Sequence, residues 1–177
     1  MHALYRLQQL WWELSARNLT PQQRDEVNRC LTSLEQSLFQ RFTVTDQVHS
    51  YRVMRTLQDA GQAHPDLLTA ALLHDVGKTR VSLTAWDRSL AVLAHALVPA
   101  LARRWGVSAE SDPNRFGWRK GFIVKAHHPI WGAGMAAAAG STPQSVALIQ
   151  RHQDPIGNPT SETDRLLQCL QWADDQH

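Results

Sequence analysis

The chain has 177 residues and a mass of 20.0 kDa, with 43% hydrophobic and 19% charged types, which fits one ordinary globular domain and excludes disorder and collagen-like repeats. Its 18 basic and 16 acidic side chains leave a net charge of +2, which is no nucleic-acid signature, so no nucleic-acid partner is expected. Two cysteines, Cys30 and Cys169, make no disulfide framework and point to a reducing, cytoplasmic setting.

No stretch alternates as a strand would, and helical spacing recurs throughout, so the expected fold class is all-α. Leu4, Leu7, Trp11 and Leu14 line one helical face at the start, where Glu13 and Arg17 interrupt any signal-peptide core. Thr20 then caps a helix with Pro21 in its first turn and Gln23 completing a capping box. Val27, Leu31, Leu34 and Leu38 continue it as one stripe. Residues 1–43 read as a helical extension packed on a main domain of residues 44–177. A helix over Thr45 to Ala60 should stop at Gly61, and the next should run from Pro65 to about Asp75, with Gly77 in its C-terminal turn.

A long helix is expected from Ala85 to Trp105, kinked at Pro99, with Trp86, Leu90, Leu93, Leu97 and Leu101 on its core face. Its most apolar run, Leu90 to Ala102, is too short to span a bilayer, which takes about 20 residues, so no membrane contact is expected and the run reads as buried. A loop follows from Gly106 to Gly117, then a helix from Trp118 to His127. Pro129 should turn the chain at His128, before a helix from Trp131 to Ala139. Pro143 opens a helix through His152, Asp154 to Pro159 breaks the chain, and a last helix begins near Ser161.

Nine histidines stand out in this frame. His74-Asp75 sits at a helix C-terminus and projects two ligand types from one backbone step. Neutral imidazole suits Fe, Mn, Co, Ni or Zn, and a carboxylate can bridge two such ions. His49 shares a helix face with Val53, and His152 one with Leu148 and Ile149. Asp174 follows Leu167 by seven residues, about two helical turns, so it should point inward, whereas Asp175 falls off that line. A carboxylate directed into a core needs a cation or several donors.

The ordered set His49, His74-Asp75 and Asp174 resembles the HD-domain metal-dependent phosphohydrolase superfamily. His74-Asp75-Val76-Gly77-Lys78 is similar to its HDxGK element, and Trp172-Ala173-Asp174 to the helix end bearing its last ligand. His128-Pro129-Ile130-Trp131-Gly132-Ala133 and Arg151-His152-Gln153-Asp154 resemble elements of its dinuclear branch. The resemblance implies a helical bundle with a metal site in its core. It implies one or two divalent transition ions on His49, His74, Asp75, His128, His152 and Asp174, with Asp75 bridging. His127 competes with His128, which is favoured because it directly precedes the proline. The HD-GYP branch is a poorer match, because Gln153 replaces its second histidine and Gly157-Asn158-Pro159 lacks its tyrosine.

The implied reaction is hydrolysis of a phosphomonoester or phosphodiester in a small phosphorylated substrate, nucleotide-like substrates included, by metal-activated water. Asp75 and Lys78 are then the catalytic candidates. Lys78, Arg52, Arg115, Arg119 and Lys120 are the substrate-binding candidates, able to stabilise phosphoryl charge. Two alternatives stand beside this one: a non-catalytic metal-binding signalling module, and an iron-pair oxygenase. Self-association as a homodimer stays open.

Overall fold

The computed structural model describes residues 18–106 and 117–177, and every regular element among them is helical. The chain is all-α. The stripe through Leu4, Leu7, Trp11 and Leu14, and Arg115, lie outside the described residues.

Helix α1 (Pro21–Cys30) opens as its sequence dictates: the Thr20 hydroxyl accepts the Gln23 N–H, and the Gln23 side chain accepts the Thr20 N–H at 2.9 Å. The single helix expected from Val27 to Leu38 is two. Leu31 is extended, and α2 (Ser33–Phe39) starts afresh from Thr32. A second capping box causes the break. Glu35 Oε2 accepts the Thr32 N–H at 2.8 Å and the Thr32 hydroxyl at 2.9 Å, while Oε1 accepts the Ser141 hydroxyl at 2.6 Å. Glu35 is therefore buried, and Leu34, expected inside, is 62% exposed.

Helix α3 (Val44–Asp59) is capped by Thr43 and ends before Gly61, whose φ of 76° favours glycine. Helix α4 (Pro65–Leu73) is buried on every side from Leu67 to Leu73, so it is the central helix of the fold. A 3-10 turn (Val76–Arg80) follows. Gly77 is not the left-handed residue of a helix end. A Cβ there would lie 2.0 Å from the His128 carbonyl oxygen and 2.7 Å from the Gly132 nitrogen, so the glycine serves a close backbone approach.

The long helix expected next is broken rather than kinked, into α5 (Ala85–Leu97) and α6 (Pro99–Gly106). Most of its expected core face is turned outward: Trp86 is 74% and Leu97 70% exposed, Leu93 and Leu101 are exposed as well, and Leu90 alone of the five packs against the core. The buried side carries Ala91, Ala94 and Ala102, packed with Phe122. Small residues win here because the backbones come close. A Cβ on Gly121 would lie 2.2 Å from the Asp87 carbonyl oxygen.

Helix α7 (Lys120–Ala138) begins after a 3-10 turn (Gly117–Arg119) and runs unbroken through Pro129, so the turn expected at His128 does not occur. Helix α8 (Pro143–Arg151) is capped by Thr142 and α9 (Glu162–Asp174) by Ser161. One core joins Leu19, Val27, Leu31, Phe39 and Phe42 to the inner faces of α3, α4, α8 and α9. The 3-10 turn after α4 packs along α7, and α8 packs on both α7 and α4. Among the described residues no helix is long and apolar enough to cross a membrane.

Candidate metal centre

Three helices end at one place. His74 is the C-cap of α4, His152 the C-cap of α8, and Asp174 the last residue of α9. Helix C-termini carry partial negative charge, about −0.5 each, so their convergence favours a cation. His49 comes from α3 and His128 from the middle of α7.

The two oxygens of Asp75 face opposite ways. Oδ2 is 3.5 Å from His74 Nε2 and 4.0 Å from His49 Nε2. Oδ1 is 3.2 Å from His128 Nε2 and 3.8 Å from His152 Nε2. Asp174 Oδ1 adds to the first side, 3.0 Å from His49 Nε2 and 3.5 Å from His74 Nε2. Two groups of ligand atoms result: His49, His74 and Asp174, and Asp75, His128 and His152, each with its atoms within 4.8 Å of one another.

Backbone carbonyls set which ring nitrogens face inward. His74 Nδ1 donates to the Ala71 oxygen at 2.9 Å and His152 Nδ1 to the Ile149 oxygen at 2.7 Å. His128 Nδ1 lies 3.0 Å from the Val124 oxygen and 3.1 Å from the Lys125 oxygen. A carbonyl can only accept, so each Nδ1 carries a proton, and each ring turns its Nε2 inward. His128 Nε2 and His152 Nε2 are 3.2 Å apart. With both nitrogens unprotonated, an ion placed between them could take a lone pair from each. His74 Nε2 is buried with no hydrogen-bond partner. An orphaned nitrogen, a two-sided carboxylate and converging helix ends together fit a divalent ion.

The electrostatics say the same. Burial pushes the His74 imidazole down, but Asp75 and Asp174 outweigh it and raise its pKa to about 9. Burial and the neighbouring His74 push His152 down to about 3. Burial alone would raise Asp174 and Asp75. His49 and His74 hold Asp174 well below the usual carboxylate range, and Lys78 and His74 do so for Asp75. The carboxylates of Asp75 and Asp174 thus give the pocket a negative field that favours positive charge.

Around this cluster the other expected residues divide. Lys78 Nζ donates to Asp75 Oδ2, and this contact with Asp75 raises the Lys78 ammonium against the opposing effect of burial. Arg52 lies on α3 one turn beyond His49 and is half-buried. Arg119 is engaged elsewhere: its guanidinium donates to the Trp105 oxygen through Nε at 3.0 Å and a terminal nitrogen at 2.6 Å, closing the end of α6. Lys120, in the first turn of α7, lies near Asp87 of α5. His127 points away, its Nε2 3.0 Å from the Gly106 oxygen and its ring stacked on Trp131, so His128 is the member of the pair that joins the cluster. Gln153, in the sequence only a departure from the HD-GYP pattern, brings its side-chain amide to 3.4 Å from His128 Nε2. Its place directly after His152 was the available signal.

A family model described as HD domain matches residues 47–177, a span that contains all six converging side chains. Comparison with curated proteins and with solved structures finds no match. The family match takes in most of the chain, and its His-Asp dipeptide sits at the meeting point of the two ligand groups: the chain belongs to the HD-domain family.

Proposed function

We propose that this chain is a metal-dependent phosphohydrolase acting on a phosphomonoester or phosphodiester of a small substrate. One observation carries the reading: Asp75 offers one oxygen to His49 and His74 and the other to His128 and His152. That arrangement supports two ions sharing one carboxylate, with Asp174 completing the first set. Bound there, divalent ions would lower the pKa of water and neutralise phosphoryl oxygens.

The chain's own residues divide the remaining work. The His49 and Asp174 side chains are 28% and 35% exposed, against 1% and 2% for His128 and His152. Substrate therefore approaches over the first set, while the second lies beneath it. Lys78, also 35% exposed, stands on the open side. Once a cation takes over the neutralisation of Asp75, the Lys78 ammonium can turn to a phosphoryl oxygen and hold the charge that grows in the transition state. Arg52, on the helix that bears His49, is the second candidate for the phosphate. Arg119 is left out, since the Trp105 carbonyl occupies it.

The test is turnover of p-nitrophenyl phosphate and bis(p-nitrophenyl) phosphate with Mn2+. Turnover is expected for the natural chain and should fall by at least ~100-fold in Asp75→Asn, about 2.7 kcal/mol of barrier. Full metal occupancy without turnover of either ester would overturn the hydrolase reading and leave a non-catalytic metal-binding module.

A further inference from the structure

A proline inside a helix has no N–H for the carbonyl four residues earlier, and its ring crowds that carbonyl. Helix α7 nonetheless runs unbroken from Lys120 to Ala138 with Pro129 within it. The carbonyl that loses its regular partner belongs to Lys125. His128 takes up that oxygen, placing Nδ1 3.1 Å from it and 3.0 Å from the Val124 oxygen. The Val124 oxygen is the acceptor a regular helix assigns to the backbone N–H of His128 itself. The Lys125 oxygen is therefore the one that residue 129 leaves to the ring.

The consequence lies on the far side of the imidazole. With the proton on Nδ1, Nε2 presents a lone pair toward Asp75 and His152, at 3.2 Å from each contact atom. The Gln153 side-chain amide lies on this same side of the ring, 3.4 Å from Nε2. The opposite tautomer would turn an N–H toward the ion position and could not ligate through Nε2.

We infer that Pro129 is a positioning residue: by withholding an N–H from the Lys125 carbonyl it reserves that oxygen for the His128 ring, which fixes the proton on Nδ1 and the free lone pair on Nε2. The inference rests on the reading of His128 as a ligand of the second ion. It gives a reason for a helix-breaking residue in the interior of α7.

The test is Pro129→Ala in the full chain, which restores a competing N–H. Two measurements are needed. The first is the tautomer of His128 in metal-free protein, from long-range 15N–1H couplings at a pH where the ring is neutral. The second is a calorimetric titration with Co2+. The natural chain should show His128 as the Nδ1–H form alone, and the variant a mixture of tautomers. Affinity for the second Co2+ should fall roughly ten-fold or more, as outer-shell changes typically do, with the first unaltered and the melting temperature no lower. A variant whose His128 stays wholly in the Nδ1–H form overturns the inference. So does equal weakening of both ions with a lower melting temperature, which would make Pro129 a packing residue. If the natural chain binds a single Co2+, the two-ion reading fails, and the tautomer comparison still decides the role of Pro129.

Discussion

Asp75 faces four histidines with two oxygens, and that division is what makes one small pocket into two adjoining sets of ligands. Much of it was legible in the sequence. A His-Asp step at a helix end fixes two ligands at once, and helical spacing aligns Asp174 with Leu167 and Leu170, both fully buried. The tautomers were not legible, because their acceptors are backbone oxygens. His74 and His152 each reach back three residues, to Ala71 and Ile149, only because α4 and α8 stop where they do. The contrast between neighbours at the end of α9 is testable. Asp174 lies 3.0 Å from His49, whereas Asp175 is the exposed cap residue and joins neither ligand group. Asp174→Asn should weaken metal binding roughly ten-fold or more, and Asp175→Asn by less than about two-fold, measured by competition with a chelating dye. Equal effects would remove Asp174 from the site.

Elements were predicted best where caps carry the signal. Thr20 with Gln23, the stop at Gly61 and the starts at Pro65 and Pro143 fall as their local chemistry requires. Periodicity misled where a polar contact or a close backbone approach overrode it. Thr32 and Glu35 split the stripe through Leu34, and Gly121 with Ala91 turned the small side of α5 inward in place of Trp86 and Leu93. Pro129 signals a turn because proline disfavours the helix, yet α7 continues through it with the His128 ring against the Lys125 carbonyl. Gly77 is the element-scale counterpart. It lets the turn that carries Asp75 and Lys78 lie directly on the backbone of α7, against His128 and Gly132. A methyl group there meets backbone, which cannot move aside. Gly77→Ala should cost about 3 kcal/mol, seen as a lower denaturation midpoint at unchanged m-value, and should lower metal affinity as Asp75 shifts from His128. A variant with natural stability would show that the two backbones are not held together there.

At the scale of the whole molecule, the six converging side chains come from α3, the end of α4, α7, α8 and α9, and span His49 to Asp174 in the chain. All-α class and the family were legible because those residues keep their order and flanking text. The orientation of α5 and α6 was not, since hydropathy does not say which face of a helix meets a glycine-lined neighbour. Ions bound at the meeting point would tie every one of those helices to the others, so metal content bears on the fold and the chemistry together. The most direct measurement is the number of Mn2+ or Fe2+ ions retained per chain after loading and desalting, by elemental analysis. Two ions are expected, falling to none or a weak remnant in Asp75→Asn. A chain that holds one ion or none under saturating metal would contradict the central claim that Asp75 joins two metal positions.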